Sequence, residues 1–178
     1  MDPILKELLA DPEFVPPADI FIYDLSHIGT VMISANEPLV ALKFLILETS
    51  RVLHYFETEF KSDRRPRQAV ASAAVFLENV NAVGTGGLLN PDCTNLLTRA
   101  NAAASAGRHA LKFGGASASA AYAAADTCYA AYDLSAGGRM ANVSGGASWA
   151  LDYVRRADPK ILLIDQYRRF LNLVREAE

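Results

Sequence analysis

The chain has 178 residues, of which 51% are hydrophobic and 21% charged, and its formal net charge is −3. These values are typical of one globular domain and argue against wholesale disorder. The slightly acidic balance gives no basic surface of the kind that binds nucleic acid or an anionic membrane. The two cysteines, Cys93 and Cys128, are too few for a disulfide-rich secreted domain. No charge-free apolar run approaches the roughly 20 residues of a membrane span. We therefore expect a soluble, cytoplasmic protein.

Residues 1–35 are predicted to form an N-terminal helix followed by an irregular arm. Pro3 to Ala10 has the composition of a short helix, and Pro16-Pro17 prevents its continuation. The β-rich runs IFIY and TVMIS follow, with Gly29 between them. A short hairpin and an irregular arm lying on the core are both compatible with this pattern.

Residues 36–178 are predicted to form an Ala-rich bundle, giving an all-α domain of about six or seven helices. The run NEPLVALKFLILETSRVLHYFETEF begins with Asn36 as a cap and has Pro38 in its first turn. Its first half is apolar on nearly every side, which is typical of a central helix. We expect this helix to end near Lys61.

The remaining helices are predicted from glycine and proline positions. The second begins within DRRPRQ and runs to about Asn79. Alanine dominates residues 100–131, where its small side chain lets helix backbones approach closely. Further boundaries or interruptions are predicted at Gly84 to Gly87, Gly114-Gly115, Gly137-Gly138, Gly145-Gly146 and Asp158-Pro159.

The sequence contains no recognisable catalytic or metal-binding pattern. His27, His54 and His109 are far apart, and neither HExxH nor CxxC occurs. There is no GxSxG nucleophile motif, and VGTGGLLN lacks the Lys-Ser/Thr ending of a phosphate-binding loop. We therefore predict no catalytic residue, no metal and no cofactor.

The stretch SDRRPRQAVASAA, from Ser62 to Ala74, places three arginines within four positions at a predicted helix start. Cations at a helix N-terminus oppose the macrodipole, so these arginines need an anion or neighbouring carboxylates. Glu48 lies in an apolar run and needs a cation, because a buried unpaired charge is costly. We expect the arginines of this stretch to pair with Glu48, Glu57 and Glu59.

The segment LVALKFLILETSRVLHYFETEFKSDRRPRQAVASAAVFLE resembles the first two helices of the Imm-5-like immunity proteins of polymorphic-toxin systems. That family has an aromatic–glutamate helix end and a D-x-R-P-R turn into an Ala-rich helix. Phe76 replaces a typical tryptophan, and the GTGGLLNPDC loop is longer than in the family. The resemblance extends from Pro38 to Ala157. The matching positions are Phe56-Glu57, Asp63, Arg65-Pro66-Arg67, Ala69-Val70 and Ala73-Ala74.

The resemblance implies an all-α bundle that binds a cognate toxin and blocks it without an active site. A partner surface of this kind presents aromatic and charged anchors, which Phe14, Phe21 and Tyr23 of the arm are candidates to supply. Two other interaction roles remain open. One is a phage or mobile-element inhibitor of a host defence or regulatory protein on the same scaffold, and the other is a homo-oligomeric structural protein.

A further alternative is a binding site for a small anionic ligand between the helices. The same polar residues would form either this pocket or a structural clasp between the first two helices. They are Glu48, Glu57, Asp63, Arg65, Arg67, His109 and Tyr129.

Overall fold

The computed structural model describes residues 38–83, 93–136 and 140–177, which form six helices and no strand. The predicted all-α bundle is thereby confirmed. The N-terminal helix, the hairpin and the arm with Phe14, Phe21 and Tyr23 lie outside the described residues. The helices are α1 (Pro38–Glu59), α2 (Arg65–Val83), α3 (Cys93–Ala110), α4 (Gly115–Ser135), α5 (Met140–Ala157) and α6 (Leu163–Ala177).

Helix α4 lies at the centre and packs against α1, α2, α3 and α5. Thirteen of its 21 residues are buried, and eight of these are alanines. Because Ala118 to Ala131 is buried almost continuously, α4 is enclosed on all sides rather than along one stripe. Small side chains permit this close packing: a Cβ added to Gly107 of α3 would lie 3.1 Å from the Tyr122 ring of α4.

Helix α1 supplies most of the large apolar side chains that fill the spaces around α4. Phe44, Leu45, Val52 and Phe56 are all buried. A buried hydrogen bond of 2.8 Å between the hydroxyls of Thr49 and Thr127 joins α1 to α4. None of the helices in the described ranges is both long enough and apolar enough to cross a membrane.

Helix α5 runs without a break through Gly145-Gly146, so the predicted interruption was wrong. Each glycine costs a helix about 1 kcal/mol relative to alanine. Ala147, Leu151 and Val154 are buried at helical spacing, and the packing of this face outweighs that cost.

Helix α6 begins at Leu163, five residues after the predicted start at Asp158. The Asp158 carboxylate accepts the backbone N–H of Lys160 at 3.1 Å, and the Asp158 carbonyl accepts that of Ile161 at 3.0 Å. These bonds form a turn instead of a first helical turn, a role that aspartate commonly fills.

Candidate functional site

The α1–α2 turn brings a carboxylate to the arginines at the start of α2. Asp63 accepts the backbone N–H of Arg65 at 3.1 Å, and its two oxygens accept the Arg65 guanidinium at 2.9 Å (Nε) and 2.6 Å (Nη2). The hydrogen bonds from Arg65 lower the pKa of Asp63. The unfavourable charge of Arg65 at the helix N-terminus is thus compensated from within the same turn.

A second pair joins the end of α1 to the first turn of α2. Arg67 donates from Nε and Nη2 to the two carboxylate oxygens of Glu57 at 2.5 Å and 2.6 Å, a side-on bidentate arrangement. Hydrogen bonding by Arg67 lowers the pKa of Glu57. The Arg67 side chain is 58% exposed, so water screens much of this attraction.

Glu48 does not pair with the arginines of this stretch, and that expectation was wrong. Its carboxylate accepts two hydrogen bonds of 2.7 Å from Arg169 of α6. Glu48 lies nine residues before Glu57 on α1, which is about 13 Å along the helix axis. It is therefore too far from the start of α2 for Arg65 or Arg67 to reach.

His109 and Tyr129 lie at different levels of the bundle. The Tyr129 hydroxyl donates to Asn101 Oδ1 at 2.7 Å, and Asn101 is eight residues, about 12 Å, before His109 on α3. Asp63, Arg65 and His109 line one concavity, whereas Glu48 and Tyr129 are absent from its lining. The residues predicted to form one pocket or clasp therefore occupy separate places.

An aromatic cluster stands where the α1–α2 turn meets the α3–α4 turn. The ring centroids of Phe60, His109 and Phe113 are 5.4–5.6 Å apart in every pairing. Phe113 is 64% exposed, and Leu111 in the same turn is also exposed. We call this surface, made by Phe60, His109, Leu111 and Phe113, the aromatic end.

Charged residues border the aromatic end on the α1–α2 side. They line an open concavity of about 530 Å³ in which both signs of charge are present. An apolar centre with a charged border is the usual composition of a protein-binding surface. The lining residues are Glu59, Phe60, Lys61, Ser62, Asp63, Arg65 and His109.

Sequence reasoning identified three residues of this surface, Asp63, Arg65 and His109, but missed Phe60, Leu111 and Phe113. The run LKF before Gly114-Gly115 was assigned to a helix, whereas residues 111–113 form a turn after α3. The sequence did contain a signal for these exposed residues: large apolar residues occupy the last positions before two glycines that end the helix.

The thiol of Cys128 on α4 is not arranged to act as a nucleophile. Burial raises the pKa of the Cys128 thiol to about 12, and the thiol donates to the Leu96 carbonyl at 3.3 Å. Cys128 is therefore a protonated packing residue. Across residues 38–83, 93–136 and 140–177, no three His, Cys, Asp or Glu side chains are grouped to hold a metal ion.

Fold and site together define an all-α bundle with an exposed aromatic end bordered by charges. Comparison with protein-family models, with curated proteins and with solved structures found no match. The resemblance to immunity proteins therefore stays a prediction from the sequence.

Proposed function

We propose that this chain is a non-enzymatic interaction protein that binds a partner protein through the aromatic end and blocks it. The observation that carries the proposal is Phe113, which is 64% exposed and contacts Phe60 edge-on and His109 at a tilted angle. Leaving a phenylalanine in water forgoes about 1.5–3 kcal/mol of burial free energy. A partner that covers this ring would recover it, as aromatic anchors do in protein interfaces.

The charged border supports the same proposal. Asp63 and Arg65 are paired with each other, which fixes the direction of both side chains at the edge of the concavity. Charges at the rim of an interface contribute mainly to partner selection and association rate. The partner that this surface fits has an apolar patch that covers Phe113, surrounded by charges complementary to those of the concavity.

The residues that carry the family resemblance include two that border the aromatic end. Asp63 and Arg65 belong to the D-x-R-P-R turn, and both line the concavity. On this basis we propose an immunity-type role: the protein acts in the cytoplasm, where it neutralises a toxin without a metal or cofactor. The turn would then serve both the fold and recognition of the partner.

The test is a growth-rescue assay in which the chain is co-produced with the protein encoded by the neighbouring gene. We expect the wild type to restore growth and Phe113→Asp to lose that protection. Trp149→Asp is the matched control, because Trp149 on α5 is an aromatic residue of similar exposure, 55%, that does not belong to the aromatic end or line its concavity. Circular dichroism checks that both variants fold.

Three results would contradict parts of the proposal. Failure of the wild type to protect would argue against the immunity role. Equal protection by Phe113→Asp would place the partner surface elsewhere on the molecule. If light scattering shows that Phe113→Asp converts a wild-type oligomer to a monomer, the aromatic end serves self-association instead.

A further inference from the structure

A second concave surface lies between α2 and α3 and shares no lining residue with the concavity at the aromatic end. We call it the α2–α3 groove. Its volume is about 290 Å³, close to the lower limit of about 300 Å³ for small-molecule sites. Nothing in the proposed function uses this groove.

The floor of the groove is apolar. Phe76 of α2 and Leu96 of α3 are both buried within the bundle and line the groove from below. Val75 is 52% exposed, and Ala71 and Ser72 beside it are small. The small residues leave room above the floor, so a bound apolar group would cover Val75 and gain burial free energy.

The rim of the groove carries a cation, Arg99, that has no acidic partner among residues 38–83, 93–136 and 140–177. Arg99 is half-buried, and its Nη1 donates to Gln68 Oε1 at 2.6 Å. Gln68 is neutral, and within the described residues no carboxylate forms a salt bridge with Arg99. Within the described residues Gln68 is the acceptor that this guanidinium contacts, and its other N–H donors lie in a planar arrangement that matches a carboxylate.

Neutral amides complete the rim. Asn79 lies four residues before the end of α2, and Asn95 is the third residue of α3, so both are near the α2–α3 connection. Arg99 follows Asn95 by one helical turn. The groove thus has one charged position, an apolar floor and uncharged hydrogen-bonding groups beside it.

From this arrangement we propose that the α2–α3 groove binds a monocarboxylate with an apolar body. Arg99, oriented by Gln68, binds the carboxylate through paired N–H donors, and Phe76, Leu96 and Val75 hold the body. Such a group is presented either by a free small acid or by the C-terminal residue of a peptide. A doubly charged ligand is disfavoured, because the rest of the lining is uncharged.

The test is an NMR titration of the full chain with 3-phenylpropionate and, separately, with its neutral amide. We expect saturable shifts at the groove, with the acid binding at least ten-fold more tightly than the amide. Arg99→Gln should reduce acid binding to the level of the amide. The control is Arg108→Gln, which changes an exposed arginine of the same helix and should leave the affinity unchanged.

A second variant keeps the test decisive if Arg99→Gln does not fold. Val75→Glu retains Arg99 but places a negative charge beside the ligand carboxylate and removes part of the apolar contact, so it should weaken binding of the acid much more than binding of the amide. The proposal is overturned if neither probe binds, if acid and amide bind equally, or if Arg99→Gln binds the acid as the wild type does.

An N-acetylated dipeptide ending in phenylalanine distinguishes the two sources of the carboxylate, a free acid and a peptide end. Tighter binding than 3-phenylpropionate identifies a peptide end, and weaker binding a free acid.

Discussion

Arg169 in α6 donates two hydrogen bonds of 2.7 Å to Glu48 in α1, across 121 positions of the sequence. Glu48 is only 1% exposed, and the Gln166 amide approaches the same carboxylate at 3.4 Å. Next to this polar contact, the rings of Phe170 and Phe44 lie 5.4 Å apart. Because α6 packs mainly against α1, this pair fixes where the last helix lies.

Arg169→Met should be the most destabilising of the charge variants. It leaves Glu48 buried without a cation, which typically costs about 3–5 kcal/mol. Urea unfolding followed by circular dichroism measures the loss. The double variant Glu48→Leu/Arg169→Met removes both charges and should recover most of it. A single variant that costs less than about 1 kcal/mol would show that Glu48 does not need this partner.

Arg67→Ala should lower stability by only about 0.2–1 kcal/mol, since its ion pair with Glu57 is largely in water. Thermal unfolding at low and high salt checks the effect, which should shrink as salt screens the pair. Arg64→Ala, one position before α2, is the control and should change the melting temperature less. An unchanged melting temperature for Arg67→Ala would favour a ligand-binding role for this arginine.

Asp126 on α4 should make stability fall as the pH rises. Burial raises the pKa of its carboxyl to about 7, above the unfolded value of about 3.9. Folding therefore favours the protonated form, and this contribution is lost between about pH 4 and pH 7. Nearby Tyr129 and Tyr153 stay neutral there, since their pKa values are raised too.

The measurement is the melting temperature of wild type and Asp126→Asn from pH 4 to pH 8. The difference between them should be small at pH 4 and should favour the variant at pH 8. Asp165→Asn, a more exposed aspartate on α6, is the control and should keep the wild-type dependence. A constant difference between wild type and Asp126→Asn would contradict the assignment.

Gly107→Val should destabilise the contact between α3 and α4. The new Cβ would lie 3.1 Å from two atoms of the Tyr122 ring, which is itself stacked on Tyr153 at 5.2 Å. The added methyl groups would need still more room in a closely packed seam. Gly115→Val is the control, because no atom beyond its chain neighbours and its own helix backbone lies within 4 Å of the added Cβ. Equal melting temperatures for the two variants would show that Tyr122 moves without cost.

The helices were predictable because their signals are local. Apolar spacing, alanine propensity and the proline of the first turn all lie within a few residues of the helix they specify. The α1–α2 pairs Glu57–Arg67 and Asp63–Arg65 were also within reach, because both partners lie near one turn. The arginines of the turn could be matched with these two carboxylates by their distance in the sequence alone.

The relationships that sequence reasoning missed depend on tertiary packing. The partner of Glu48 comes from the last helix, and no local pattern links the two positions. The exposure of Phe113 depends on how the α3–α4 turn meets Phe60, which belongs to another turn. Packing of α5 on α4 overrides the helix-breaking tendency of Gly145-Gly146.

The central position of α4 also governs the order in which the protein can assemble during synthesis. Helices α1, α2 and α3 all pack against a helix that follows them in the chain. Until Ser135 has left the ribosome, these three helices lack the surface that covers them. A chain terminated before α4 keeps only the α1–α2 and α2–α3 contacts, and it would present the apolar faces that α4 covers to chaperones and proteases.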